Sequence, residues 1–423
     1  MLTGQILLEL VVILLTIQLF GYLCRRIGQQ WVIGEILAGL ALGPSLFGAL
    51  APGLAARAFP LSAFPTLQTL GDIGLVLYMF SLGARLDTNL MVRQSHKALV
   101  ASLSSILLPL LLGATIAFFL YPGFAGGKAT QFSFILLVGT AMSITAFPVL
   151  ARLLTEKQML GTRIGTLALT CASINDIIAW CLLALVVAVA NGRGAPGTIL
   201  TVGLTILFIG IMLAVVRPLL IWAARHIRST QGLVVFALIL LLLSAYFTNA
   251  IGIHPVFGAF FLGIILPRRT AFIEYIRSMD RLNNVLFLPI FFVYSGLRTQ
   301  IGLINTPSLW LICLLVLTLA CVGKLVGATL PSRWMGESWR DALSLGVLMN
   351  TRGLVELIVL NIGLDLGILS PTMFAMLVIM ALVTTMMASP LLPLFGHRYQ
   401  SRPFAENAPA ESNEEQIVPQ VDS

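Results

Sequence analysis

The stretch Thr170-Cys171-Ala172-Ser173-Ile174-Asn175-Asp176-Ile177-Ile178-Ala179-Trp180 opens a run that continues to Ala190 without another charge. A carboxylate in such a run lies at membrane depth, where an ionised side chain is expensive and is kept mainly when it works or is paired. A lone intramembrane Asp beside an Asn can take up a proton or a dehydrated cation, but hardly both together. Asp176 therefore reads as the centre of an ion-for-proton exchange site. The competing reading is a structural carboxylate satisfied by neighbouring hydroxyls. Asn175 serves equally well as a ligand or as a hydrogen-bonder between helices.

Other polar residues in apolar runs fall into two groups. Leu137 to Val149 carries Ser143 and Thr145 ahead of Pro148, which removes a backbone donor and clashes with the preceding turn. Ser143 and Thr145 can satisfy the freed backbone groups or lend oxygens to an ion. Gly346 to Glu356 places Asn350-Thr351-Arg352-Gly353 in the middle of a second apolar run, which makes a break there too. Arg352 and Glu356 stand four apart on one helical face and read as a structural ion pair. Lys324, in Cys321-Val322-Gly323-Lys324-Leu325-Val326-Gly327, is either a buried cation that balances Asp176 or a side chain snorkelling to the interface; the core role is favoured. Glu35 and Asp72 read as packing or interface residues, and nothing in the sequence gives the four histidines a pH-sensing role.

The elements that must position these residues follow from composition. The 423-residue chain is 58% hydrophobic and 10% charged, against about 25% charged for a soluble globular protein, so it is a polytopic all-α membrane protein. Its net charge of +8 is the basic excess that orients a membrane protein rather than a nucleic-acid footprint. The apolar run Ile6 to Leu23 is long enough to span and lacks an A-x-A cleavage site, so it reads as a helix and not as a signal peptide. The five cysteines lie in or beside apolar segments without C-x-x-C spacing, as ordinary buried thiols do.

Thirteen spans are expected, including a short ninth at Ile253–Pro267 whose break from the eighth falls at Gly252-Ile253-His254-Pro255. With end-turn charges assigned to the adjoining loops, Arg57, Lys128, Arg193 and Arg298 follow even-numbered spans, and Lys324 and Arg352 lie inside spans. All other Lys and Arg follow odd-numbered spans or sit in the tail. The positive-inside rule then puts the N-terminus outside and the C-terminus in the cytoplasm. Residues 397–423 read as a short, disordered cytoplasmic tail. The two interrupted spans, the fifth and the twelfth, are an odd number of spans apart and cross the membrane in opposite directions. Paired broken helices of opposite direction are the mark of an inverted-repeat secondary transporter.

Across these residues the chain resembles the monovalent cation/proton antiporters of the second cation/proton antiporter family, which includes bacterial sodium/proton antiporters and plant endomembrane cation/proton exchangers. The matching stretches are Val32 to Ser45, Thr145 to Pro148, Ile174-Asn175-Asp176, Pro289 to Phe292 with Ser295 to Thr299, Gly323-Lys324, and Asn350 to Leu357. The resemblance implies an antiporter fold over residues 1–396 with two crossed discontinuous helices. It implies a core at about 97–190 and 307–396, a dimerisation and scaffold part at about 1–83 and 197–300, a homodimer, and elevator-like movement of the core. Carried over by position, Asp176 is the shared ion and proton site, Asn175 its neighbour, Thr145 a source of oxygens and Lys324 the buried cation. Electrogenic relatives have two adjacent aspartates; here the first is Asn175, which points to electroneutral exchange. The glutathione-gated potassium efflux relatives carry a cytoplasmic nucleotide-binding domain that this chain lacks, which argues against that gating.

The expectation is a transporter in a bacterial inner membrane that exchanges Na+ or K+ for H+ at Asp176, with no cofactor and no nucleic-acid partner. A channel-like potassium pathway on the same scaffold is the alternative. A membrane sensor is disfavoured by the broken polar helices. An enzyme is disfavoured because no nucleophile–base pair, metal-ligand cluster or phosphate loop is present.

Overall fold

The computed structural model describes residues 2–60, 62–85, 95–159, 162–190, 194–227, 229–267 and 280–395. The tail and His397 lie outside these residues. The regular elements of the described residues are all helices, apart from an isolated pairing of Ala125 with Leu369. In chain order the principal helices are α1 (Leu2–Arg26), α2 (Trp31–Leu42), α3 (Phe64–Arg85), α4 (Ser95–Phe124), α5 (Gln131–Ser143), α6 (Phe147–Glu156), α7 (Arg163–Ala190) and α8 (Gly194–Ile211). There follow α9 (Arg217–His226), α10 (Thr230–Ile251), α11 (Pro255–Ile264), α12 (Leu288–Leu297), α13 (Pro307–Trp334), α14 (Trp339–Met349), α15 (Leu354–Asp365) and α16 (Pro371–Leu391).

Twelve helical stretches among the described residues, not thirteen, are long and apolar enough to cross a membrane. The ninth expected span is the ten-residue α11, about 15 Å long against a hydrocarbon core of about 30 Å. The cause is local. Gly252 ends α10 in the left-handed region at φ +94°, and α11 cannot begin before Pro255, with His254 as its N-cap. Short as it is, α11 turns the chain back. Ser244 on α10 donates to the Gly258 carbonyl at 2.8 Å, and Gly263 lies against Phe80 and Gly83 near the end of α3. Asp280 meets Ser81 at that same end, while Tyr294 meets Gln68 nearer the other end of α3.

The fifth and twelfth spans are both interrupted. α5 stops at Ser143, and Ile144 and Ala146 are extended before α6 starts at Phe147. Pro148 then falls in the first turn of α6, where its missing N–H costs nothing. α14 stops at Met349, and α15 starts at Leu354 after Asn350-Thr351-Arg352-Gly353. The two unwound segments cross and bond: the Ala146 N–H donates to the Thr351 carbonyl at 3.0 Å, and the Thr145 hydroxyl donates to the Met349 carbonyl at 2.7 Å. Opposed interrupted helices of this kind are the inverted-repeat transporter architecture. α4 and α13 flank the crossing. Gly323 and Gly327 are one turn apart on α13, and a Cβ on either would come within 2.8 Å of Pro109 or the Ser104 carbonyl of α4. Small residues at i and i+4 let the two backbones close up, which sinks Lys324 into the protein.

At the second break Gly353 adopts φ +149°, and an added Cβ would stand 2.8 Å from Cγ2 of Val149 on the other broken helix. Gly353→Ala should lower stability by about 1–3 kcal/mol, the usual cost of a backbone that L side chains avoid. The check is the thermal unfolding midpoint of the detergent-purified protein. Adding Val149→Ala should restore only the part of the loss that comes from contact.

Candidate functional site

Asp176 and Asn175 lie in the middle of α7, both buried, against the crossing of the broken helices. The Asn175 amide is fully used. Its Oδ1 accepts from Ser102 on α4, and its Nδ2 donates at 3.2 Å to both Ser105 and Thr145. Thr145 is the hub of the crossing. Its hydroxyl donates to Met349 and accepts from Asn175 and from Lys324 Nζ, the latter at 2.7 Å. Lys324 reaches this point from α13 with no exposed surface, so it does not snorkel.

Asp176 is set differently. Neither carboxylate oxygen accepts a hydrogen bond from a described residue, and the side chain is fully buried. The nearest donor is the backbone N–H of Phe147 in the first turn of α6, too loosely placed for a well-formed hydrogen bond, and the Lys324 ammonium acts on the carboxylate through space. The N-terminal end of α6 carries the positive end of its dipole, which suits an anion. Most buried polar groups in proteins are satisfied, so a carboxylate left open on both oxygens beside a cation and a helix end has coordinating capacity to spare.

Arg352 holds the other half of the crossing. Its guanidinium donates to the Ala141 and Met142 carbonyls at 2.8 and 2.6 Å, capping the negative C-terminal end of α5. It also lies 3.5 Å from the Glu356 carboxylate, with both side chains wholly buried. Its own backbone N–H donates to Thr385 of α16. Ser143 is turned elsewhere: its hydroxyl donates to the Thr140 carbonyl of its own helix. The structure thus brings Asp176, Asn175, Thr145 and Lys324 together and sets Arg352 and Glu356 beside them, with Ser143 occupied at the end of α5. Sequence reading missed Ser102, Ser105 and Thr385. The first two carried a signal, since Ser102, Ser104 and Ser105 interrupt an otherwise apolar stretch.

Crossed broken helices with a buried carboxylate at the crossing place the chain among the inverted-repeat secondary transporters. More narrowly, it belongs to the sodium/hydrogen exchanger family: the family described as "Sodium/hydrogen exchanger, transmembrane" matches residues 11–395. The Na(+)/H(+) antiporter NhaS4 of Synechocystis is 43% identical over 393 residues, which cover 92% of this chain and 96% of that protein. Cation/H(+) antiporter 17 of Arabidopsis thaliana is 39% identical over 92% of this chain and 48% of its own length. K(+)/H(+) antiporter 1 of Saccharomyces cerevisiae is 34% identical over 86% of this chain and 43% of its own. The chain therefore spans about half the length of the plant and yeast relatives. The solved sodium proton antiporter MjNhaP1 of Methanocaldococcus jannaschii shares the fold, with a TM-score of 0.64 at 16% identity over 93% of this chain and 96% of that one.

Removing one member of a buried ion pair strands the other, at a cost of about 3–5 kcal/mol. Arg352→Met should therefore destabilise strongly, because Glu356 and two carbonyls of α5 lose their cation together. The double variant Arg352→Met/Glu356→Leu should recover part of the loss. Thermal unfolding of the two purified variants side by side makes the comparison.

Proposed function

We propose that this protein exchanges a monovalent cation, Na+ or K+, for H+ by competition at Asp176. The observation that carries the reading is the fully buried Asp176 carboxylate, open on both oxygens, at the crossing of two broken helices. A bare charge there is held back by its desolvation cost, whereas the protonated or cation-loaded carboxylate is neutral and can move with its helices. Asn175 and Thr145 position α7 against the crossing, and Thr145 is the nearer source of an additional oxygen. Ser143 serves chiefly as the satisfied end of α5. Lys324 balances the site's charge, and Arg352 with Glu356 locks the broken helices. With one exchanging carboxylate, the cycle is electroneutral.

The moving core is assigned to about 97–190 and 307–396, and the scaffold and dimer contact to about 1–83 and 197–300, working by alternating access in a homodimer. The distribution of Lys and Arg supports an N-terminus outside the membrane and a cytoplasmic C-terminus. The similarity to a cyanobacterial antiporter supports a bacterial cell membrane. The channel-like alternative gains nothing from the relatives, which are described as antiporters.

The test is proton flux in sealed proteoliposomes that hold the purified protein and a pH-sensitive dye. Na+, K+ or Li+ added to acid-loaded vesicles should alkalinise the interior, with no response to a clamped membrane potential. Asp176→Asn should abolish the signal. Cation flux without proton movement contradicts the proposal, and a rate that follows the potential shows that Lys324 or another group carries a second proton.

A further inference from the structure

A cavity of about 230 Å³ lies beside the site, with walls from α2, α3, α6 and the segment that leads through Asn284 into α12. Its lining includes Pro148, which directly follows Phe147, and Leu354, the first residue of α15. Its polar lining consists of Glu35, Tyr78, Arg152 and Asn284. In the charge-based topology all four belong to the cytoplasmic halves of their spans.

The first turns of α6 and α15, the positive ends of those helices, therefore border this space, and Arg152 lines it. Arg152 is half-engaged by Glu156 at 3.2 Å, in a pair that is partly exposed on both sides. A cation approaching Asp176 through this space meets a repulsive wall unless a carboxylate offsets it. Glu35 is that carboxylate. It is 94% buried, at 6% exposure, and lines the cavity from α2. Arg152, on the opposite wall, acts on it electrostatically but is ion-paired to Glu156 and not to Glu35. Trp31, one turn earlier on α2, lies within hydrogen-bonding reach of it.

We infer that Glu35, with the Asn284 amide and the Tyr78 hydroxyl, forms a second, weaker site for a monovalent cation, at which the ion waits on its way to Asp176. At about 30 Å³ for each water, the cavity holds the cation with several waters. The site takes a partly hydrated ion that Asp176 then strips. Sequence reading assigned Glu35 to packing or an interface, because its position near the start of the second span gives no hint of a cavity across from it.

The waiting site rests on the exchange reading for its purpose but is tested apart from it. Radiolabelled Na+ or Rb+ is bound to detergent-purified Asp176→Asn, in which exchange is expected to be lost. Weak binding should remain in that variant, disappear in Asp176→Asn/Glu35→Gln, and tighten in Asp176→Asn/Arg152→Gln. Absence of binding to Asp176→Asn, or equal binding in its Glu35→Gln derivative, overturns the site whatever the flux assay shows. The Arg152 variant alters a partly exposed side chain and decides the matter if the Glu35 variant does not fold, since unchanged affinity there also overturns the site. In the wild-type background, Glu35→Gln should raise the half-saturating cation concentration in flux by about tenfold, with the maximal rate affected far less. A loss confined to the maximal rate contradicts the proposal.

Discussion

Two helices stop partway across a bilayer, and the amides and carbonyls they leave unpaired must be satisfied inside the protein because lipid supplies no partners. Arg352 meets two carbonyls at the end of α5, the Thr145 hydroxyl meets Met349 at the end of α14, and the Ala146 amide meets the Thr351 carbonyl where the chains cross. Gly353 permits the sharp approach to Val149 that this crossing demands. These contacts join residues about two hundred positions apart in sequence. The rest of the site depends on them, because they fix the end of α6 that faces Asp176.

Four fully buried ionisable side chains surround the crossing: Asp176, Lys324, Arg352 and Glu356. Their formal charges cancel, as charges must where pairing is the main relief from desolvation. The cancellation is uneven in space. Arg352 and Glu356 form a close pair, and Lys324 is held by Thr145 and not by Asp176. Asp176 is thereby left without a cation in contact, and a carboxylate in that condition has most to gain from a proton or a cation. In the proposed function this imbalance drives the exchange, and Lys324 sets how strongly the carboxylate competes for each.

Much of this was legible in the sequence. Pro148 and the Asn350 to Gly353 cluster marked both breaks, and the odd spacing between them gave the inverted repeat. Arg352 and Glu356 do meet, though not through the helical face that their four-residue spacing suggests: Arg352 lies in the unwound segment before α15, and only Glu356 is helical. Other features were hidden by the range of the contacts that create them. Nothing near Arg352 says that it caps a helix two hundred residues away. The depth of Lys324 follows from how closely Gly323 and Gly327 let α13 approach α4, a matter of the partner helix as much as of the motif. The ninth span was taken as too long because apolar composition runs on from Ile253 to Pro267, whereas the helix itself is confined by Gly252 and Pro255 at one end and breaks after Ile264; short as it is, it still reverses the chain, which keeps the odd spacing of the two breaks.

The central claim is that one carboxylate holds either a proton or the cation. The most direct measurement is proton release on cation binding, followed by adding Na+ or K+ to the detergent-purified protein in weakly buffered solution. The account predicts that the cation bound at Asp176 expels one proton, and that Asp176→Asn removes the release. Cation binding that leaves the solution pH unchanged, or release that survives Asp176→Asn, would contradict it.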